Sequence, residues 1–450
     1  MATTVLSKTF GTATNRKKWT MSVWLKKADP LDEGAIFSSY STGTTSNYSA
    51  FRDNGSATYD FVENDGSYTI NLRPSLQLRD PTAWYHLVLA YDSTQSVAAD
   101  RVNYYVNGVL QTAWGTETYP TLNQESGINQ AALHTIGKNT ATDNAYFNGV
   151  MAHFHFIDGL QYAASTFGST DATSGIWVPN TGPSVTYGNN GFFLKFQDTA
   201  AFGDDSSGNT NDFALSGTMT QTKDNPQNNF ATLNPLNDDN LSVDTTFAYA
   251  DLQVTKSDKG GPTATMGVTK GKWYWEIKAI TLGADIQTGI YDPMYTTGKN
   301  YVEAHVGASN HGYGLIHSNG NKIHDGSNSS YGSGISADDI IMHALDMDNK
   351  KWWAGLNGTW FASGDPAAGT NEAYSTLFSA YTSTHHFITP CIGTNSASET
   401  GVYQFNFGNG YFGTTNVTSA VADGDGEGRF EYTPPTGFYA LCTNNLATYG

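Results

Sequence analysis

Short segments that alternate apolar and polar residues recur along the whole chain. Four of them are rich in β-branched and aromatic residues and end near Gly, Asn or Asp: WTMSVWLKK (19–27), WYHLVLAYD (84–92), VNYYVNGVL (102–110) and HFHFIDG (153–159). A fifth, KWYWEIKAI (272–280), alternates strictly, as a strand with one buried face does. No segment has a convincing helical period over more than a few turns. The pattern therefore predicts strands and turns throughout.

The dipeptide Asn107-Gly108 separates two of these segments. It predicts a tight hairpin, because both central residues of such a turn adopt a positive φ. Regularly spaced short strands with frequent turns are typical of β-sandwiches. We therefore expect an all-β protein built from antiparallel β-sandwiches.

Composition narrows the class further. The 450 residues carry 23 basic and 41 acidic side chains, a net charge of −18, with 14% charged and 13% aromatic residues. So few charges exclude a coiled coil, and so many aromatics argue against disorder. The acidic balance predicts no nucleic acid partner, since phosphate binding needs clustered Lys and Arg.

Targeting signals and cysteines say little about where the protein is located. No apolar run approaches the roughly 20 residues that span a bilayer, so we expect no membrane insertion. The start MATTVLSKTF lacks the apolar core of a secretory signal. The two cysteines, Cys391 and Cys442, do not decide the compartment, and stability must come from burial.

The first half resembles the laminin-G-like, concanavalin-type lectin sandwich over about residues 5–170. The resemblance lies in Trp19 to Leu25, Thr82 to Asp92, Tyr104 to Gly108, Ile136-Gly137 and Phe147-Asn148-Gly149. A strand FFLKF (192–196) and the loop from Asp204 to Asn209 resemble the usual beginning of such domains, but follow the rest. We interpret this as a permuted sandwich whose late strands complete the sheet.

The second half resembles a SPRY domain over about residues 245–413. The matching segments are WYWEI (273–277), GYGLIHSNGNKIHDG (312–326), HALDMDNKKWWAGLNGTW (343–360) and YQFNFG (403–408). Between the halves, residues 224–240 are rich in asparagine and lack periodicity, which suits a linker or an ordered strap.

These resemblances define the predicted organisation. We expect two antiparallel jelly-roll, concanavalin A-like sandwiches: a laminin-G-like domain at 1–223 and a SPRY-like domain at 241–413. The linker or strap at 224–240 joins them, and 414–450 form a C-terminal extension.

The combination of both sandwiches, the NNFATLNP segment and the ending PPTGFYALCT resembles surface proteins of tailed-bacteriophage virions. The resemblance implies a non-enzymatic structural appendage, either a capsid decoration or fibre or a tail fibre, assembled in the host cytoplasm. It also implies other virion proteins of the capsid or tail as partners, a homo-oligomer on the virion, and contact with a host-surface glycan. Two alternatives stay open: a free lectin-like module and, less favoured, a glycan-cleaving enzyme.

Catalytic candidates are weak. Concanavalin-like glucanases use Glu-x-Asp-x-x-Glu on one strand, and no such spacing occurs here. Glu276, Asp346 and Asp348 are the nearest acidic positions, and the last two suit a structural turn. His153 and His155 share one strand face, a spacing that metals use, but no third ligand follows at a suitable distance.

The best candidate metal site has five oxygen-bearing side chains within nine residues: Asp204, Asp205, Asn209, Asn211 and Asp212. Ca²⁺ takes oxygen ligands from short loops of this kind. The alternative is an Asx-rich turn held by bonds from side chain to backbone.

Glycan binding needs exposed aromatic faces beside polar groups. The candidate aromatic residues are Trp114, Tyr119, Tyr295, Tyr301 and Trp360. In the SPRY-like half, the long segments 283–310 and 362–386 are candidate contact surfaces, or else pack against neighbouring subunits. Residues 2–15 are a candidate attachment segment.

Overall fold

The structure is a computed structural model, and it describes residues 4–28, 33–40, 47–140, 145–237, 245–256, 259–283, 285–293, 305–378, 387–396 and 400–450. The chain forms two compact units, Met1–Gln221 and Thr222–Gly450. Both units consist of antiparallel sheets packed face to face, which confirms the predicted all-β sandwich class.

Sixteen strands are described in the first unit. They are β1 Val5–Thr9, β2 Lys18–Lys27, β3 Glu33–Tyr40, β4 Asn47–Asn54, β5 Tyr59–Asp65, β6 Tyr68–Pro74, β7 Tyr85–Asp92, β8 Val102–Val106, β9 Val109–Leu110, β10 Trp114–Thr118, β11 Leu133–Ile136, β12 Gly149–Asp158, β13 Gly168–Thr170, β14 Trp177–Pro179, β15 Phe192–Leu194 and β16 Ala214–Ser216. Short 3₁₀ turns occupy Ala98–Arg101 and Ala164–Thr166.

Two large sheets enclose the core of the first unit. One has eight strands in the order β10-β6-β5-β4-β3-β11-β1-β16, and the other has six in the order β15-β12-β2-β7-β8-β9. Alternate residues of β2, such as Met21, Val23 and Leu25, point into the core. The turn between β8 and β9 has positive φ at Asn107 and Gly108, as the hairpin prediction requires.

The late strands close both sheets. Strand β15 pairs with β12, placing Phe192 beside Phe156, and β16 pairs with β1. This confirms that the FFLKF segment completes the sandwich after the rest of the domain. Residues 160–188, which include β13 and β14, cover the outer face of the six-stranded sheet with Phe167, Trp177 and Tyr187.

Seventeen strands are described in the second unit. They are β17 Thr245–Ala248, β18 Gln253–Lys256, β19 Lys272–Thr281, β20 Ile286–Tyr291, β21 Gly312–Ile316, β22 Lys322–His324, β23 Ser327–Ser329, β24 Ile340–Asp346, β25 Lys351–Leu356, β26 Thr359–Trp360, β27 Thr389–Thr394, β28 Gly401–Asn406, β29 Tyr411–Phe412, β30 Thr415–Asn416, β31 Val421–Ala422, β32 Arg429–Phe430 and β33 Tyr439–Ala440. The 3₁₀ turns Pro235–Asn237 and Phe361–Ser363 and one helix, α1 Thr443–Tyr449, complete it.

The second core lies between a sheet ordered β17-β18-β28-β19-β24-β25-β26, with β33 added beside β19, and a sheet ordered β23-β22-β21-β20-β27. Trp273, Trp275 and Ile277 of β19 face into it, as their alternation predicts. No helix in the described residues is long and apolar enough to cross a membrane.

The asparagine-rich segment and the C-terminal residues are both built into this second unit. Phe230, Ala231 and Leu233 are buried, and Ala231 N–H donates to the Leu441 carbonyl at 3.0 Å. Strand β33 pairs in parallel with β19. Residues 224–237 and 414–450 thus contribute buried side chains and strand pairing to the sandwich.

Candidate functional site

The outer face of the eight-stranded sheet in the first unit carries a set of aromatic and polar side chains, of which one is exposed and several are partly exposed. In β4, β5 and β6, Phe51, Phe61 and Leu72 point into the core. The residues between them therefore point outward, because successive side chains of a strand alternate between faces. Tyr68 has the same parity as Leu72, but a register shift between β5 and β6 turns it outward, and its hydroxyl lies near that of Tyr48. We call the outward set the tyrosine–arginine face: Tyr48, Tyr68, Arg52, Arg73, Asp60, Asn64 and Asn71.

Two arginines share one carboxylate at one end of this face. Arg52 Nε donates to Asp60 Oδ1 at 3.1 Å, and Arg73 Nη2 donates to Asp60 Oδ2 at 3.0 Å. The Asp60 side chain is fully buried, while those of Arg52 and Arg73 are 22% and 36% exposed. One carboxylate balances only one of two guanidinium groups, so a net positive charge remains here within a chain of net charge −18.

Tyrosines form the other end. Tyr48 packs on Ala50 and Val62, and its hydroxyl lies 3.4 Å from that of Tyr68. Burial and the Tyr68 hydroxyl raise the pKa of Tyr48 to about 12, so this side chain keeps its proton. Tyr68 is 45% exposed and offers its ring to solvent.

Three polar atoms of the face have no hydrogen-bond partner within the described part of the chain: Asn64 Oδ1, Asn71 Oδ1 and Arg73 Nε. They are buried beneath neighbouring side chains, and an unpaired buried polar atom costs free energy until water or a ligand supplies a partner. The face thus holds unused hydrogen-bonding capacity beside its exposed aromatic and charged groups.

The predicted calcium residues come together in one loop, but their polar atoms bond within the chain. The Asp205 carboxylate accepts hydrogen bonds from four donors: Phe193 N, Ser207 N, Ser207 Oγ and Asn211 N, at 2.7–2.9 Å. Asp212 Oδ1 accepts from Asp205 N–H at 2.9 Å. These contacts are those of the Asx-rich turn that the sequence left open as the alternative.

The remaining members of the cluster surround that turn. Asn209 Nδ2 donates to the carbonyls of Gly188 and Gly191, and Asn211 Nδ2 donates to those of Asn189 and Gly191. Asp204 is exposed on the rim of a cavity of about 370 Å³. No group of three or more His, Cys, Asp or Glu side chains among the described residues could hold a metal ion. Ca²⁺ binding stays a prediction from the sequence, and the hydrogen bonds of Asp205 favour the Asx-rich turn instead.

The histidines have structural partners. His153 and His155 both stack on the Phe193 ring, at 6.0 and 3.8 Å between centroids. A β-bulge interrupts β12 between Ala152 and His155, and His153 there has φ of 47°. His155 Nδ1 also lies 2.9 Å from the Tyr187 hydroxyl.

One serine–histidine contact resembles a nucleophilic pair but has the wrong tautomer. His86 Nε2 lies 2.8 Å from Ser22 Oγ, and Trp177 Nε1–H donates to His86 Nδ1 at 2.9 Å. Since an indole N–H only donates, Nδ1 is unprotonated and the proton sits on Nε2, facing the serine. His86 therefore cannot take the serine proton, and burial lowers its pKa to about 3.

The acidic residues considered as catalytic candidates also have hydrogen-bond or ion-pair partners within the chain. Asp346 accepts from the backbone and side chain of Asn349 and pairs with Lys272 at 3.1 Å, while Asp348 accepts from Gly271 N–H at 2.8 Å. These contacts confirm the turn interpretation. Burial raises the pKa of Glu276 to about 7, and its oxygens accept four hydrogen bonds.

Three of the five candidate glycan aromatics are partly buried by packing. Trp114 and Tyr119 pack against the first core, and Trp360 packs against Tyr274 in the second unit. Tyr295 and Tyr301 lie outside the described residues, as do parts of the contact segments 283–310 and 362–386 and the first residues of the attachment segment 2–15.

Sequence reasoning missed the tyrosine–arginine face, although a signal for it existed. In the segments YSAFRDN (48–54), YDFVEND (59–65) and YTINLRP (68–74), Arg52, Asp60, Asn71 and Arg73 alternate with core residues. Adjacent pairing of three such strands would gather the polar positions on one side.

A comparison with known protein families agrees with the sandwich fold of the first unit. Residues 3–162 match the laminin-G-type family model described as the concanavalin A-like lectin/glucanases superfamily. No curated protein matches the chain.

Among solved structures, the SPRY domain of human HERC1 is 16% identical and covers 34% of this chain and 87% of its own, with a TM-score of 0.27. The TRIM65 PSpry domain is 14% identical and covers 39% and 91%, with a TM-score of 0.28. Stonustoxin is 14% identical and covers 39% and 27%, with a TM-score of 0.29.

The lectin/glucanase-type fold of the first unit is consistent with a carbohydrate-binding or protein-interaction module. Residues 3–162 are similar to the laminin-G-type domains of the concanavalin A-like lectin/glucanases superfamily.

Proposed function

We propose that this chain is a non-enzymatic appendage on the surface of a tailed-phage virion, held on the capsid or tail, that binds a host-surface glycan. The observation that carries the binding role is the tyrosine–arginine face, with exposed Tyr68 and partly exposed Arg52 and Arg73 on β6 and β4. The proposal includes assembly in the host cytoplasm and several copies on each particle.

The face suits a polar ring-shaped ligand. Tyrosine rings stack on sugar rings, and guanidinium groups bind hydroxyl or carboxylate oxygens in a planar fork. Asn64 and Asn71 add amide groups that both donate and accept. All these residues lie on paired strands, which hold a binding constellation more precisely than loops do.

A non-catalytic role is favoured by what surrounds the candidate reactive groups. Asp60 is buried, and each of its carboxylate oxygens accepts a hydrogen bond from an arginine. Glu276 is buried beneath backbone and side-chain donors. Ser22 faces the protonated nitrogen of His86.

The virion location is supported by the combined resemblance of the two sandwiches and the segments NNFATLNP and PPTGFYALCT. In the structure those two segments meet, with Phe230 bridged to Cys442 and Asn229 N–H bonded to Thr443 Oγ1 at 3.0 Å. They therefore act together as part of the second sandwich, as motifs of one protein type would.

The test of location is mass spectrometry of purified particles from the genome that encodes the chain, together with immunogold electron microscopy. We expect peptides from this chain in intact particles and gold labels on the capsid surface or tail. Its absence from purified particles would contradict the virion role.

The test of recognition is a glycan array probed with the full chain and with Tyr68→Ala. We expect binding by the wild type and strong loss in the variant. A chain that binds the array but is missing from particles would instead be the free lectin-like module, the second candidate, which the same face supports.

A further inference from the structure

A groove of about 290 Å³ lies on the second unit, and none of its lining residues belongs to the tyrosine–arginine face. Its floor includes Lys278 and Ile280 of β19 and Gln404 of β28. The segment from Phe412 to Thr418 forms one wall, and Tyr249, Glu431 and Tyr432 complete the lining. This volume is at the lower end of the range for small-molecule pockets, roughly 300 Å³, and suits one ring-sized ligand.

A strained turn forms part of its rim. Tyr249, Ala250 and Asp251 have φ of 54°, 56° and 61°, three successive non-glycine residues in the left-handed region. Such backbone is unfavourable and persists where surrounding contacts hold it, often at ligand sites. Here Leu233 N–H donates to the Asp251 carbonyl at 3.0 Å, and the turn presents Tyr249 with 40% of its surface exposed.

The opposite side is fixed by a buried carboxylate. Glu276 accepts from Glu431 N–H at 2.9 Å and from Tyr432 N–H at 2.7 Å. Two residues that line the groove are therefore anchored to β19 through their backbone. Glu276 is a positioning residue for this wall, and the groove is formed before any ligand arrives.

The charged groups in the lining already have partners. Lys278 Nζ pairs with Asp338 at 3.2 Å, and the Glu431 carboxylate accepts from Thr418 N–H at 2.5 Å and from Ser419 Oγ at 3.2 Å. A charged ligand would have to compete with these contacts, whereas a neutral ligand would leave them in place. The other polar groups are the Gln404 and Asn416 amides and threonine hydroxyls, which suit hydroxyl groups that donate and accept.

We propose that this groove is a second binding site, specific for a single neutral sugar residue that stacks on Tyr249. The Tyr249 ring supplies a face for the sugar, and the amides and threonine hydroxyls pair with its hydroxyls. The site is separate from the proposed host-glycan face and does not depend on it. A longer glycan could engage it through one terminal residue.

The experiment uses the full chain and a panel of methyl glycosides of neutral hexoses and N-acetylhexosamines. Saturation-transfer NMR identifies binders, and titration gives Kd for the wild type, Tyr249→Ala and Thr415→Val. Tyr249 and Thr415 are exposed, so neither change removes core packing. Leu236→Ala, an exposed residue outside the groove, is the matched control.

We expect at least one methyl glycoside to bind the wild type, with Kd at least tenfold weaker in Tyr249→Ala, weaker in Thr415→Val and unchanged in Leu236→Ala. A Kd in Tyr249→Ala equal to that of the wild type would overturn the proposal, as would a wild type that binds no member of the panel. A further arm with Tyr68→Ala separates the two sites: glycoside binding lost there but kept in Tyr249→Ala would assign it to the tyrosine–arginine face alone.

Discussion

The outer sheet faces of the two units differ in how they are covered. In the first unit, the outward residues of β4 to β6 include tyrosine, arginine, aspartate and asparagine beside the buried Ala50 and Val62, and some of the polar ones are partly exposed. In the second, the outward residues of β19, β24 and β25 include Tyr274, Met342, Ala344 and Trp353, and all four are buried. One sandwich leaves a polar face open to solvent, whereas the other covers an apolar one.

The cover of the second face comes from its own chain. Phe430, Phe438, Ala440 and Cys442 from residues 421–450, with Phe230, pack onto it. We call residues 421–450 the C-terminal cover. Apolar outward positions in a strand thus predict a covering segment elsewhere in the sequence, while polar and aromatic ones predict a ligand or partner.

The largest expected effect tests the covered face. Phe438→Ala should lower the free energy of unfolding by about 3–5 kcal/mol, because it removes a fully buried ring that packs at 6.2 Å from Trp353. Tyr68→Ala on the open face should stay within about 0.5 kcal/mol of the wild type. Urea unfolding of both variants measures the difference, and equal losses would end the distinction between the two faces.

The second effect concerns the carboxylate buried under the C-terminal cover. Burial raises the pKa of Glu276 from 4.5 to about 7 in the folded state. A raised folded pKa adds stability that is complete below about pH 4.5 and is lost as pH rises through 7. A rise of this size in the pKa of Glu276 corresponds to about 3 kcal/mol of unfolding free energy.

Glu276→Gln removes this titration. Between pH 4.5 and pH 8, we expect the wild type to lose about 3 kcal/mol of unfolding free energy relative to the variant. Urea unfolding at four pH values measures it. Parallel pH profiles would show that Glu276 does not titrate in this range.

The same comparison explains what could be predicted from sequence. Alternation places Trp273, Trp275 and Ile277 in the core, because strand period decides which face is buried. The sequence pattern also identifies β15 as a strand of this sandwich, although β15 comes late in the chain and pairs with β12. The local sequence pattern was sufficient to predict the buried face of a strand wherever that face follows from neighbouring residues.

Long-range contacts were not predictable in this way. Nothing near Phe438 in the sequence indicates that it covers Trp353, and the Glu276 contacts with Glu431 and Tyr432 span 155 and 156 residues. The binding face was missed because each strand contributes only two or three of its residues. The set appears only when the pairing register of β4, β5 and β6 is known.

The third effect tests the open face through binding. We expect Tyr68→Ala to weaken binding to an array-identified glycan about tenfold, or about 1.4 kcal/mol, through loss of ring stacking. Arg73→Lys should weaken it less for a neutral ligand and more for an acidic one, since lysine keeps the charge but not the planar fork. Biolayer interferometry on the immobilised glycan measures both, and Val97→Ala, an exposed change elsewhere, is the control.

Unchanged binding in Tyr68→Ala would remove the open face from recognition. The contrast between the units would then concern folding alone. Stability of each variant, checked by its melting temperature, separates lost binding from lost structure.

The smallest expected effect is that of calcium on the Asp204–Asp212 loop of the first unit. Because the Asp205 carboxylate already accepts four hydrogen bonds, we expect Tm to change by less than about 1 °C between excess Ca²⁺ and excess chelator. Asp205→Ala should lower Tm equally in both conditions, since the loss is that of a turn. A Ca²⁺-dependent rise in Tm that Asp205→Ala abolishes would establish the calcium site instead, and would show that the open sandwich of the first unit relies on a bound ion where the second relies on a covering segment.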